Sequence, residues 1–271
     1  MRTIREVIER ESQIPDNPER IISLSPSVTE ILYELGMEDR IAGISAFCVR
    51  PESTMKKRRV GSYGSLKDYI LKEINPDLVL MMSGYQNSLY EEVRAKYTSY
   101  LFQLPVTLHS VLSLVTMVGL VVNRRREASS LLSDLSATVP LPKKGFEKRA
   151  YIEIDLGGPT SFGSFSYICN TLNFYGMNTP YDYVDREWLI PDPDEVRKFD
   201  PEVIIFEPKM FGDRKRLNVD QIIRERSWEE ISAVKNGNIF VTPGRYDFFA
   251  HHGPSFIREV LPWLDSIIGS L

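Results

Sequence analysis

Three histidines, His109, His251 and His252, supply all the imidazole in the chain. A zinc centre built on imidazole would need nearly all of them, and no His-Glu-x-x-His helix is present, so a catalytic or carried zinc is not expected. Glu153 and Asp155 share one face of a strand, an arrangement open to two readings: an acid–base pair or a solvated strand end. The turn Gly157-Gly158-Pro159-Thr160-Ser161-Phe162-Gly163-Ser164 has the composition to cradle an anion at a helix N-terminus, although such turns recur in any α/β fold. Phosphate-loop, dinucleotide-turn and nucleophile-elbow motifs are absent from the sequence. Cys48 and Cys169 are too few for a disulfide framework. Cys48 suits a small buried hydrophobe better than a metal ligand. The run Lys56-Lys57-Arg58-Arg59 reads as a solvated loop ahead of a strand.

These groups need a scaffold. Short β-branched runs alternate with helical patterns, the mark of an α/β architecture with mainly parallel strands. Arg20 to Leu24, Ile41 to Ser45, Asp77 to Met82, Tyr100 to Leu104, Ala150 to Ile154, Val203 to Phe206 and Asn238 to Val241 read as strands. From Ser110 to Leu135 apolar residues recur at helical spacing, which predicts one long helix of about 40 Å. An internal echo links the halves: Ile74-Asn75-Pro76-Asp77-Leu78-Val79-Leu80 matches Phe199-Asp200-Pro201-Glu202-Val203-Ile204-Ile205 in character. The expectation is therefore two Rossmann-like lobes, residues 1–109 and 139–271, joined by a rigid helix over 110–138. Such lobes present ligand-facing loops at the carboxyl ends of their strands, and a cleft between two of them is a binding site.

Composition narrows the class. With 42% hydrophobic residues and a net charge of −4 in 271 residues, disorder is excluded as the main state, and the mild acidity argues against a dedicated nucleic-acid binder. The most apolar window, Val111 to Val122, is too short to span a bilayer. The N-terminal residues carry no signal-peptide pattern, so the chain as written is expected in the cytoplasm, or outside it if a signal was trimmed.

The segments Ile14-Pro15, Pro18-Glu19-Arg20-Ile21 and Ser23-Leu24-Ser25-Pro26-Ser27-Val28-Thr29-Glu30 resemble the opening of the substrate-binding proteins that serve ABC importers of cobalamin, haem and ferric siderophores. The likeness continues through Phe47-Cys48-Val49-Arg50-Pro51, Val60-Gly61-Ser62-Tyr63-Gly64, Asn75-Pro76-Asp77-Leu78-Val79, Asp200-Pro201-Glu202-Val203 and His252-Gly253-Pro254. The segment around Phe47-Cys48 is most similar to the cobalamin-binding branch. The resemblance implies a non-enzymatic, monomeric solute-binding protein that captures a cobalamin-like corrinoid, or else haem or a ferric siderophore, in an interlobe cleft. It implies no resident cofactor and no nucleic-acid partner.

By the same resemblance, Ser25, Pro26, Ser27, Phe47, Cys48, Tyr63 and Tyr85 are the candidate ligand contacts of the first half. Phe165, Trp188, Glu207, Asp247, Phe248 and His251 are those of the second. Aromatic rings suit the wide apolar faces of a corrin or porphyrin, and a few polar groups suit its amide or carboxylate edges. His251 and His252 are the candidate axial ligands to iron or cobalt, against second-shell or surface roles. Importer-linked members carry a glutamate on each lobe that docks the permease. Here those positions hold Tyr69 and Asp194, which puts an ABC permease partner in question. Two further readings stand beside uptake. One is a cytoplasmic corrinoid or haem carrier without a permease. The other is an enzyme that uses Glu153, Asp155, Glu207 or the histidines.

Overall fold

The computed structural model describes residues 2–5, 11–141, 145–212 and 217–271. The chain divides into two compact units. Met1–Leu104, Val111–Thr138 and His252–Ile257 form the first; Pro105–Ser110, Val139–His251 and Arg258–Leu271 form the second.

The first unit opens with an antiparallel hairpin, β1 (Arg2–Arg5) and β2 (Glu11–Ile14). Its core is a parallel sheet of β3 (Ile21–Ser23), β4 (Ile41–Ser45), β5 (Arg59–Gly61), β6 (Leu78–Met82) and β7 (Ser99–Phe102), in the order β5-β4-β3-β6-β7. Every residue of β6 and β7 is buried, as a parallel sheet covered on both faces requires. Helix α1 (Pro26–Glu34) starts on Pro26, whose missing N–H is harmless in a first turn. Helices α2 (Asp68–Ile74) and α3 (Asn87–Arg94) follow β5 and β6. Ile70, Leu71, Tyr90 and Val93 of these helices pack on Ile22, Val79 and Met81 of the sheet.

The stretch predicted as one helix from Ser110 to Leu135 is instead two helices, α4 (Leu108–Val121) and α5 (Arg125–Thr138). The division between the units falls inside α4. Asn123 takes a left-handed φ of 58°, and the N–H groups of Arg124 and Asn123 return to the carbonyls of Gly119 (2.7 Å) and Leu120 (3.4 Å). That pair of bonds is a Schellman cap with asparagine at its left-handed position. A Cβ on Gly119 would stand 2.2 Å from that of Ala128, so glycine lets α5 close onto α4. Apolar periodicity runs on through such a cap, which is why it was invisible in the pattern. Asn123→Gly should leave stability unchanged or slightly raised. Asn123→Val should cost about 1–2 kcal/mol, read by urea denaturation, and an equal result for both variants would refute the cap.

The second unit holds β8 (Lys148–Asp155), β9 (Pro159–Phe162), α6 (Tyr167–Phe174), β10 (Met177–Asn178), β11 (Trp188–Leu189), α7 (Pro193–Phe199) and β12 (Val203–Glu207). After these come α8 (Val219–Glu225), α9 (Ser232–Lys235), β13 (Ile239–Val241) and, behind a π-turn, α10 (Leu261–Ser270). The sheet order is β11-β9-β8-β12-β13, with β10 also on β8; β10, β12 and β13 run parallel to their partners. The glycine-rich stretch does not lead straight into a helix: Pro159–Phe162 turns back as an antiparallel strand on β8.

The internal echo is geometric as well as textual. Asn75 (φ 49°) and Asp200 (φ 52°) both end a helix in the left-handed region. Arg20 Nε donates to the Asn75 carbonyl, and Arg149 Nε to that of Asp200, each at 2.8 Å. Asp77 accepts the N–H of Arg20, and Glu202 that of Arg149. Each unit is thus pinned at the same corner by the same exchange. Tyr69 and Asp194 occupy equivalent second positions of α2 and α7, both exposed.

Candidate functional site

At the carboxyl edge of the first sheet, three loops each deliver one ring. Phe47 follows β4, Tyr63 follows β5 and Tyr85 follows β6. Phe47 and Tyr63 meet edge to face at 6.4 Å between centroids, and Tyr63 and Tyr85 lie at 6.0 Å and 31°. Tyr85 is 76% exposed, while Phe47 and Tyr63 are half-buried.

A buried polar cluster adjoins the Phe47 loop. Ser25, Ser27 and Cys48 are fully buried. Ser25 and Ser27 hydroxyls share a bond at 3.0 Å, and Thr29 reaches Ser23 Oγ at 2.8 Å and Cys48 Sγ at 3.1 Å. Burial pushes the Cys48 thiol up, so the sulfur stays protonated, whereas metal ligation needs the thiolate. The Ser-Pro-Ser turn starts α1. Arg59 departs from the expectation of a solvated charge run: its guanidinium donates to the carbonyls of Ser45 (2.9 Å) and Cys48 (2.7 Å) and so supports the Phe47 loop. Lys57 donates to the Glu38 carbonyl, and Arg58 pairs with Glu73.

In the second unit Trp188 and Phe165 are each 54% exposed. Trp188 pairs with Phe162 across β11 and β9. Gly163 is obligatory here, since a Cβ would press within 2.4 Å of the Val184 carbonyl. Glu207, Phe248 and His251 are buried, and Asp247 is half-buried. The Glu207 carboxylate faces inward and accepts the N–H groups of Phe248 (2.9 Å), Phe249 (2.6 Å) and Ala250 (3.4 Å). Burial pushes its pKa up to about 7 against the pull of those amides. Glu207 therefore shapes the loop that carries Asp247. Sequence reasoning missed the exposed Phe211 beside it, which meets Tyr246 edge to face at 6.0 Å, and Arg245, which lies 5.0 Å over the Tyr246 ring.

Of the two carboxylates read either as an acid–base pair or as a solvated strand end, Glu153 is buried and Asp155 exposed. Glu153 forms a two-pronged ion pair with Arg226 at 2.6 and 2.9 Å, and Asp155 accepts the N–H of Gly157. Glu30, by contrast, emerges as a link: it accepts from the N–H (3.1 Å) and hydroxyl of Ser255. It ties the Ser-Pro-Ser-x-Thr-Glu segment to the residue after His252-Gly253-Pro254. No group of three or more histidine, cysteine or acidic side chains stands ready for a metal among the described residues.

Two α/β units, each carrying exposed rings, have the architecture of a solute-binding protein. Residues 21–246 match the model of the periplasmic binding protein family, and the chain belongs to that family. The uncharacterized ABC transporter substrate-binding lipoprotein YvrC of Bacillus subtilis is 23% identical over 280 residues, 98% of this chain and 85% of the relative. The vitamin B12-binding protein of Yersinia pestis is 39% identical over 66 residues, 24% of each chain. In fold, the chain resembles the periplasmic heme-binding protein RhuT from Roseiflexus, with a TM-score of 0.78 and 18% identity over 93% of this chain and 98% of that one.

The expectation of a cytoplasmic protein is corrected by these findings. The family is periplasmic, and the relative aligned along nearly the whole chain is a lipoprotein. Among the described residues no helix is long and apolar enough to cross a membrane.

Proposed function

We propose that this protein captures a broad, flat metal chelate of the corrinoid or haem class for ABC-type uptake, and catalyses no reaction on it. The observation that carries the reading is the ring trio Phe47, Tyr63 and Tyr85, gathered from three separate loops and left open to water. Rings so placed cover an apolar macrocycle face without giving up packing elsewhere. Trp188 and Phe165 are the proposed ring contacts of the second unit, with Asp247 as a polar one. Tyr69 and Asp194, at equivalent points of the two units, are the proposed contacts with a permease.

The test is direct. Protein mixed separately with hydroxocobalamin and haemin, then desalted, should retain at least one of them with a shifted absorption spectrum. Tyr63→Ala should weaken that binding by about 10- to 100-fold, the range for a buried aromatic anchor. Retention of neither compound overturns the tetrapyrrole reading.

A further inference from the structure

Gln86 follows the exposed Tyr85 directly, yet is completely buried. Its side-chain oxygen accepts the Met82 N–H at 2.8 Å. Its amide nitrogen donates to the carbonyls of Leu24 at 3.2 Å and Tyr63 at 2.8 Å. Leu24 follows β3, Met82 ends β6 and Tyr63 follows β5. β3 and β6 are neighbours at the centre of the sheet, whereas β5 is its edge. One side chain thus ties the edge loop that bears Tyr63 to the middle of the fold.

The amide has a single satisfactory orientation: its oxygen meets the N–H and its two hydrogens meet the two carbonyls. An apolar residue could fill the volume but could not make this link. A second device fixes the neighbouring ring. A Cβ on Gly64 would lie 2.6 Å from Tyr85 Cε1, so the tyrosine rests where only glycine leaves room.

We propose that Gln86 is the positioning residue of the ring face, holding Tyr63 in place before a ligand arrives, with Gly64 seating Tyr85. A face ordered in advance spares binding the cost of ordering it. The inference rests on the proposed role of the rings and adds the group that sets their geometry.

The experiment is a double-mutant cycle on the full chain, with haemin or hydroxocobalamin as probe and thermal melting as the fold control. Gln86→Met should weaken binding about 10-fold in the wild-type background but less than about 2-fold in Tyr63→Ala, because coupled residues are not additive. Gly64→Ala, at an exposed position that leaves the core intact, should weaken binding in a way that Tyr85→Ala abolishes. Ligand-free protein carrying labelled tyrosine gives an independent readout. The Tyr63 and Tyr85 ring resonances should be distinct in wild type and move toward free-tyrosine values in Gln86→Met and Gly64→Ala respectively. Equal losses in both backgrounds, or ring resonances unmoved by both substitutions, overturn the proposal. If wild type retains neither probe while the rings respond as expected, the positioning role stands and the ligand class falls.

Discussion

Arg226→Met should destabilise the second unit by about 3–5 kcal/mol, the cost of stranding a buried charge. The Glu153 carboxylate has little solvent to fall back on: it is buried, bonded to both terminal guanidinium nitrogens of Arg226 and to the Tyr151 hydroxyl. Arg226 in turn lies 4.9 Å over the Trp228 ring, and Trp228 meets Tyr151 edge to face at 5.5 Å. Burial, reinforced by Glu153, pushes the Tyr151 phenol well above its usual range, so it remains a donor at any physiological pH. Removing one partner should lower Tm by about 10 °C at roughly 2–4 °C per kcal/mol for a chain of this size. Replacing both, as Glu153→Leu with Arg226→Met, should restore much of the loss, because apolar packing can match a buried pair. A loss below about 1 kcal/mol for the single variant would mean that the pair behaves like an exposed one.

This cluster marks where reading the sequence stops. The strand carrying Glu153 was legible from its apolar run, and so was the alternation that put Glu153 and Asp155 on one face. Arg226 lies 73 residues further on, and nothing local announces the pairing. The same holds for Glu30 and Ser255, 225 residues apart. Periodicity reports which face a residue takes, whereas long-range partners depend on how sheets and loops close in space. The strands β3, β4, β6, β7, β8, β12 and β13 were legible as apolar, β-branched runs, though their order in the sheets was not, and the echoed Asn-Pro-Asp and Asp-Pro-Glu corners were legible because each is a local stop signal before a strand. The break at Asn123 was not, since asparagine in the left-handed region costs little and leaves the apolar spacing on either side undisturbed. The three rings were picked out by resemblance to a family rather than by any local pattern, and the structure brings them from the loops after β4, β5 and β6. Gln86 offered no signal at all: a lone glutamine beside an exposed tyrosine reads as surface.

Glu207→Ala should be the most damaging change at the end of β12, and its effect should depend on pH in a definite direction. The substitution leaves the N–H groups of Phe248, Phe249 and Ala250 without their acceptor; each buried orphan costs about 1–3 kcal/mol. A loss of several kcal/mol is therefore expected, together with weaker binding through the displaced Asp247. Glu207→Gln keeps one acceptor and should be milder. The pH dependence follows from the folded pKa of about 7, raised above the ordinary 4.5 by burial, with Asp247 adding to the rise. Below about pH 4.5 the carboxyl is protonated in both folded and unfolded chains, and the stability it contributes is fully present. Between about 4.5 and 7 the unfolded chain gives up the proton and the folded one does not, so stability falls as pH rises, by about 3 kcal/mol in all. Asp200 moves the opposite way: the bonds from Ser232 hold it below its usual range, so its contribution is lost only as pH falls under about 4. Urea denaturation at pH 5 and pH 7.5 separates the two, because of this pair Glu207 alone acts in that window. Wild type should be the more stable at pH 5, and Glu207→Gln should show that difference reduced by most of the 3 kcal/mol. Identical pH slopes for the two proteins would show that the carboxyl titrates as it does in water, and that the loop is held by something else.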